Sequence, residues 1–503
     1  MTVKKRERFM TQETTADLSS SLESIPLDQK IDGVVKPIAD FLENIIFYAE
    51  PSTGFDIKLI LVWLVSVSLF LTVYFGFINL KYFKHAIDLV RGKYDKKTDK
   101  GEINRFQALA TSLSGTVGLG NIAGVAVAVS IGGPGAVLWM MIMGLFAMTT
   151  KFAEAALGVK YRIYPDPKNK DHVLGGPMYY LKAAFVARDQ KLFGTFLAIT
   201  FASCTLGGAF GAGNMFQSNQ AYQQVVNVTG GDASFFADKG WLFGIILAMF
   251  VGAVIIGGLK SIASVASKIV PFMGLLYLAA GLIVIAMNFQ NIPAGIAEIF
   301  RLALSPEAGF GAIVGALLVG AQRAAFSNEA GFGSAAIVHA TARTKDHVSQ
   351  GFVGMLGPFI DTVVICMVTA LVIVMTGAYQ NVDTNTIQGV SLTSDAFATA
   401  IPWFPYVLAL TVLLFAYSTM IAWFYYGQTA LTYLFKERPS VILIYKIFFC
   451  LSIIVGCSAA LGNIIRLSDA MIFAMAIPNI IGLYVLAPEL KKDISKYTQA
   501  LKK

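Results

Sequence analysis

Apolar residues collect along the chain in long runs separated by short polar or basic stretches. Runs long enough to cross roughly 30 Å of hydrocarbon recur eleven times, near 58–80, 105–130, 134–158, 192–215, 241–258, 263–287, 308–335, 352–376, 404–428, 440–461 and 467–487. Each predicts a membrane-spanning helix. Two of them break the pattern. The second run holds Gly115-Thr-Val-Gly-Leu-Gly-Asn-Ile-Ala-Gly124, four glycines and one Asn in ten positions. Each Gly costs about 1 kcal/mol relative to Ala inside a helix, and backbone freed in a bilayer needs partners in protein, water or ligand. The seventh run holds Arg323-Ala-Ala-Phe-Ser-Asn-Glu-Ala-Gly-Phe-Gly-Ser334, with Asn328 and Glu329 deep in apolar surroundings. A carboxylate at that depth costs about 2.5–3.5 kcal/mol on insertion scales and marks a functional position.

The residues before the first span are polar, with no cleavable signal peptide visible. Residues 1–57 read as an N-terminal arm, disordered over 1–30, with Ile38–Phe47 forming an amphipathic helix on the membrane surface. Setting aside the span 58–80, five spans fill 105–287 and five fill 308–487. A basic tail, 488–503, follows.

Composition agrees with the pattern: 56% of the 503 residues are hydrophobic and 14% charged, which excludes a soluble domain. The formal charge of +8 does not point to nucleic acid, because the basic residues lie in a few loops. Loops 81–105 and 159–191, and the ends after 428 and 487, are basic. Loops 131–133 and 377–403 have no Lys or Arg, and 216–240 has only Lys239. This alternation places the C-terminus in the cytoplasm and, with an odd number of spans, the N-terminus outside. Cys204, Cys366, Cys450 and Cys457 lie in apolar segments without metal-ligand spacing and read as small buried hydrophobes.

The two broken spans are entered from opposite sides, and each opens a group of five. Five spans related to five by inverted topology, each led by an interrupted helix, is the pattern of a secondary transporter with a site at the bilayer midplane. Half-helix N-termini offer N–H groups to an anionic group, and unwound carbonyls offer oxygens to a cation. Blander readings stand beside this one. Gly120-x-x-x-Gly124 fits a helix-packing motif, and Arg323 with Glu329 fits a structural ion pair once the helix between them is broken.

At these residues the chain resembles the alanine or glycine:cation symporters, the sodium:alanine symporter family. The resemblance rests on Gly118-Leu-Gly-Asn-Ile-Ala-Gly-Val-Ala126, Gly132-Gly-Pro-Gly-Ala136, Thr150-Lys-Phe-Ala-Glu154, Gly213-Asn-Met-Phe-Gln217, Phe326-Ser-Asn-Glu-Ala-Gly331 and Ser418-Thr-Met-Ile-Ala-Trp423. It covers residues 80 to 490 or so, and implies an all-α, LeuT-type five-plus-five fold with one added N-terminal span. It further implies a substrate pocket at Thr116, Gly118, Gly120 and Asn121 of the first break, with Gln217, Phe326, Thr419 and Trp423. Thr419 and Trp423, spaced i, i+4, share one helical face. Sodium, the coupling ion, would sit near Leu113, Thr116 and Val117 with Ser418 and Thr419. No other cofactor or resident metal is implied. The chain departs from the family where Leu119 stands for a Thr or Ser, and where Ala422, Phe424 and Gln428 stand for Gly, Ser and Glu.

Three further positions carry expectations. Asp361, three residues after Pro358, reads as an end-of-helix carboxylate facing water near the interface, ahead of a proton or ion ligand. Lys151 and Glu154, i, i+3, read as a snorkelling pair or a gate contact. Pro478-Asn479 predicts a kink. There is no HExxH motif, no Walker A loop and no histidine within the middle of a span, so an enzyme is not expected. A channel would show polar rings rather than paired breaks. The sequence therefore predicts a plasma-membrane symporter of sodium with alanine or glycine, the alternative being a proton-coupled or glutamine-type carrier of the same fold.

Overall fold

A computed structural model describes residues 27–49, 58–95, 99–166, 171–304, 309–381 and 389–501. The disorder expected over 1–30 falls outside the described residues up to 26, and over 27–30 it is corrected, since the chain is already helical there. The main helices are α1 (Leu27–Ile46), α2 (Leu59–Tyr74), α3 (Phe83–Val90), α4 (Arg105–Thr116), α5 (Ala123–Gly132), α6 (Gly135–Lys160) and α7 (Pro177–Val186). There follow α8 (Lys191–Phe210), which runs through a π turn at Gly211–Met215 into α9 (Phe216–Val228), then α10 (Gly240–Ile255), α11 (Gly258–Met287), α12 (Ile292–Leu304) and α13 (Gly309–Asn328). The remainder are α14 (Ser334–His339), α15 (His347–Gly354), a π segment at Phe359–Cys366 continuing into α16 (Met367–Thr376), α17 (Val390–Ala400), α18 (Phe404–Phe435), α19 (Pro439–Ser458) and α20 (Leu461–Leu501). Helices occupy all eleven apolar runs. Seven among the described residues are long and apolar enough to cross a bilayer, and α2, α5 and α10 are shorter apolar helices.

Polarity is distributed inside out, as lipid requires. The outer helices present large apolar side chains to the surroundings: Met249 and Phe250 on α10, Leu275 and Leu282 on α11, Ile447 and Phe448 on α19. The inner helices α6 and α18 instead bury Thr149, Thr150, Lys151, Glu154, Ser418 and Thr419. Exposed apolar area on this scale marks a surface made for lipid or partner, and the chain is a multi-pass membrane protein.

α1 begins eleven residues earlier than the expected surface helix, and one side of it packs on the bundle. Val35 and Ala39 are buried, and its carboxylates fasten it to the bundle. Asp28 accepts from the Gly240 amide at 2.9 Å, Asp32 from the Ala460 amide at 2.8 Å, and Asp40 pairs with Arg466. Those acceptors meet the N-terminal ends of α10 and α20, where helix N–H groups lack intrahelical partners. Its opposite face, with Val34, Ile38, Phe41 and Ile45, remains exposed. At the far end of the chain, α20 continues as helix to Leu501 through the basic tail, where His347 bonds Asp493 at 3.0 Å.

Candidate functional site

Each break is built from residues that cannot continue a helix, and each is closed by side chains from elsewhere. α4 starts at a capping box, with Asn104 accepting from the Gln107 amide at 2.8 Å and the Gln107 side chain returning the bond at 3.1 Å. It ends at Val117, whose amide reaches Leu113 at 2.6 Å. Asn121 then folds back, its Oδ1 accepting from the Gly118 amide at 2.9 Å, a side chain–backbone bond that substitutes for helical bonding. The Leu119 carbonyl accepts from Ala123 and Gly124. Hydroxyls satisfy two further carbonyls: Thr369 bonds that of Asn121 at 2.8 Å, and Thr393 that of Ile122 at 3.0 Å.

The second break turns on three left-handed residues in five, Glu329 (φ 56°), Gly331 (φ 95°) and Gly333 (φ 81°). Only Glu329 among them has a side chain to strain there. Glu154 of α6 holds the turn. Its Oε1 accepts from the amides of Gly331 at 2.8 Å and Gly333 at 2.9 Å, and from Asn479 Nδ2 at 2.9 Å. Asn479 also bonds the Gly331 carbonyl at 2.8 Å, and Lys151 Nζ bonds the Asn328 carbonyl at 2.8 Å. Lys151 is 1% exposed and Glu154 fully buried. The expectation of a snorkelling pair is therefore corrected: cation and anion separately hold the two ends of one break, the anion on its free N–H groups and the cation on a free carbonyl.

The breaks meet through Asp361 and Glu329. Asn121 Nδ2 donates to Asp361 Oδ1 at 2.5 Å and to its carbonyl at 3.1 Å; Ser327 and Thr362 donate to Oδ2 at 2.9 and 2.8 Å. Asp361 is fully buried, which corrects its reading as a water-facing helix end. The π segment beginning at Phe359 turns the carboxylate inward to both breaks. Glu329 accepts from Trp423 Nε1 at 2.9 Å and from Ser334 at 2.5 Å, and the same indole N–H lies 3.3 Å from the Gly115 carbonyl. Arg323 does not pair with Glu329. It pairs with Asp469 of α20, which Gln322 also contacts at 2.9 Å, and its guanidinium sits 5.2 Å from the Phe326 ring. The structural pair expected between Arg323 and Glu329 is replaced, because Glu329 faces α18 across the break.

Most residues proposed from the sequence come together here. Gly118 faces Thr419 and Gln217: a Cβ at Gly118 would lie 2.5 Å from Thr419 Oγ1 and 3.2 Å from Gln217 Oε1. Gln217 Oε1 accepts from the Leu119 amide at 3.1 Å, and the residue is buried near the start of α9. Gly120 abuts Ser327 and the Phe326 ring, which meets Phe216 edge-on at 5.1 Å. Trp423 is 1% exposed, and its ring lies across Gly208 and Gly213 of the α8–α9 helix. Two proposed residues turn elsewhere. The Thr116 hydroxyl returns to its own helix at Ser112, and the Ser418 hydroxyl to Phe415 at 3.0 Å, beside Met273. The Ser418 carbonyl instead receives the Ser114 hydroxyl at 2.7 Å. Thr419 is different: its hydroxyl is buried without a hydrogen-bond partner among the described residues. Such a group costs free energy unless something completes it.

Two departures from the expected pattern fall away from the breaks. Phe424 stacks on Tyr445 of α19 at 5.1 Å, and Gln428 lines a cavity of about 280 Å³ with Glu102, His172 and Glu437 at the basic end. Leu119 is fully buried in the break itself. Residues that sequence reasoning missed are Asp469, Asn479 and Ser327. Asn479 stood beside a noted proline, but nothing in its spacing indicates Glu154 as partner.

Two interrupted helices joined at buried polar side chains are the arrangement of a LeuT-type fold. The crystal structure of MhsT in complex with L-phenylalanine superposes with a TM-score of 0.57 at 13% identity, over 77% of this chain and 89% of MhsT. The chain belongs to the sodium:alanine symporter family, whose sequence model matches residues 40–503. The sodium/alanine symporter AgcS of Methanococcus maripaludis is 39% identical over 443 residues, covering 88% of this chain and 94% of AgcS. The amino-acid carrier protein AlsT of Bacillus subtilis is 32% identical over 441 residues, covering 86% and 88%. This is a transporter of the sodium-coupled amino-acid symport class, and not an enzyme.

Proposed function

We propose that the protein carries alanine or glycine with sodium into the cell across the plasma membrane, its N-terminus outside and its C-terminus cytoplasmic. The observation that carries this reading is the unpartnered Thr419 hydroxyl, facing Gly118 of the first break beside Gln217. A small amino acid is assigned to the unwound backbone from Thr116 through Gly118 and Gly120 to Asn121. Its carboxylate meets N–H groups there, its side chain is limited by Phe326 and Trp423, and Thr419 supplies a hydroxyl. Sodium is assigned to backbone oxygens from Leu113 through Thr116 to Val117 at the end of α4 and to Thr419 on α18; the Thr116 and Ser418 hydroxyls, bonded to Ser112 and Phe415, join it only by turning away from those carbonyls. Rocking of the five-plus-five bundle around this site would expose it alternately to each side. The 39% identity with AgcS supports alanine.

Uptake and counterflow of labelled alanine in proteoliposomes test the proposal, with a sodium, lithium or pure proton gradient. Alanine flux that needs sodium is expected. Uptake indifferent to sodium but driven by the proton gradient, or uptake of glutamine in preference to alanine, would transfer the protein to the alternative carrier type. Flux at channel rates would exclude a carrier.

A further inference from the structure

α11 is thinned where it faces the first half-helix. Pro271 removes a backbone donor inside the helix, and Gly274 has no neighbouring atom within 4 Å of the place a Cβ would occupy. Both line a cavity of about 440 Å³ between α4, α11 and the π segment, with Leu278 and Ile360 in its walls and Leu113 and Val117 against the broken helix. At one end stands Arg91, the residue that closes α3. Its side chain is exposed and makes no hydrogen bond or ion pair among the described residues.

We propose that this groove holds one acyl chain of an anionic phospholipid, with Arg91 on the lipid phosphate. An apolar cavity stays dry, and in a bilayer the available apolar occupant is a lipid tail. Apolar contact alone would not select a lipid, since tails pack as well against one another as against protein. Selection comes from the headgroup: a guanidinium with no partner among the described residues, at the groove mouth on the basic 81–105 loop, matches a phosphate diester. The position gives the lipid a consequence. Val117 is where α4 stops, so a chain seated against Leu113 and Val117 braces the hinge of the first half-helix. Movement of that half-helix then depends on whether the groove is filled.

The test uses the full-length protein in nanodiscs of phosphatidylcholine with or without phosphatidylglycerol, with retained lipid counted by native mass spectrometry. Wild type is expected to keep one phosphatidylglycerol molecule. Gly274→Leu grows a side chain into open space and should expel it; Arg91→Gln should weaken it about fivefold. Leu278→Trp fills the groove from a second position, so loss in both filling variants, each unfolding as wild type does, separates occupancy from misfolding. No retained phosphatidylglycerol in wild type, equal retention of phosphatidylcholine, or undiminished retention in Gly274→Leu and Arg91→Gln would each overturn the proposal. In proteoliposomes, wild-type uptake should change with phosphatidylglycerol content, and Gly274→Leu uptake should not. A Gly274→Leu response equal to wild type would remove the link to the hinge. Lipid retention is read without any transported solute, so it is independent of the proposed substrate.

Discussion

Glu154→Gln and Glu154→Ala probe how the second break is held. One carboxylate oxygen, Oε1, receives three N–H groups, from Gly331, Gly333 and Asn479, at 2.8–2.9 Å, while Oε2 has no partner among the described residues. Gln fits the same space, keeping Oε1 as acceptor and placing its amide on the unpartnered side. What it loses is charge. A bond to a charged group contributes about 1.5–3 kcal/mol and a neutral one about 0.5–1.5, so the loss is about 1 kcal/mol per bond and about 3 kcal/mol in total. Ala leaves three buried donors unpaired, each costing about 1–3 kcal/mol, and opens a cavity beside Lys151. Unfolding in mild detergent, followed by loss of tryptophan signal, should therefore rank wild type above Gln and Gln above Ala. Because Asn479 shares the same oxygen, Asn479→Ala should add to Glu154→Gln by less than the sum of the two. Three outcomes refute the reasoning: Ala as stable as wild type, Gln below Ala, or full additivity with Asn479→Ala.

At the first break, Gly118→Ala puts a methyl carbon 2.5 Å from Thr419 Oγ1 and should abolish uptake, while Thr419→Ala in that background, which removes the clashing atom, should not restore it, because the hydroxyl is lost with the clash. Thr419→Val alone should raise the KM for alanine about tenfold, the loss of one buried hydrogen bond, with expression unchanged; an unaltered KM would remove Thr419 from the pocket. Trp423→Phe keeps the ring over Gly213 but deletes the N–H shared by Glu329 and the Gly115 carbonyl. Uptake should fall about tenfold or more, and activity equal to wild type would show that this bridge between the breaks is dispensable. At the basic end, His172 lies between Glu102 at 3.2 Å and Glu437 at 3.0 Å, joining the approach to α4 with the end of α18. Burial alone would lower its pKa, but the two carboxylates outweigh it and the net direction is upward from 6.5. The protonated contact thus adds stability below the ordinary value and loses it as pH rises through the raised one. Thermal unfolding between about pH 5 and 8 should show this step in wild type and not in His172→Gln; the same step in both would assign it elsewhere.

The hydrophobic pattern alone located the eleven apolar runs and both interruptions, because the constraint behind them is local. A bilayer demands unbroken apolar helix, so glycines at 115–124 and a carboxylate at 329 stand out in one dimension. Helical spacing also put Thr419 and Trp423 on one face, as the structure places them. Partnership was another matter. Lys151 and Glu154 are a turn apart and suggest each other, yet each reaches across to a break 177 or more positions away. Arg323 is nearer in sequence to Glu329, but its carboxylate is Asp469 on the last helix. Asp361 looked like a helix end beside Pro358; a π segment, invisible in composition, turns it onto Asn121 and Ser327. A buried charge must find an opposite charge or orphaned backbone groups, but which ones it finds depends on how helices far apart in sequence cross. Where the chain breaks is decided residue by residue; what closes each break is decided only by packing.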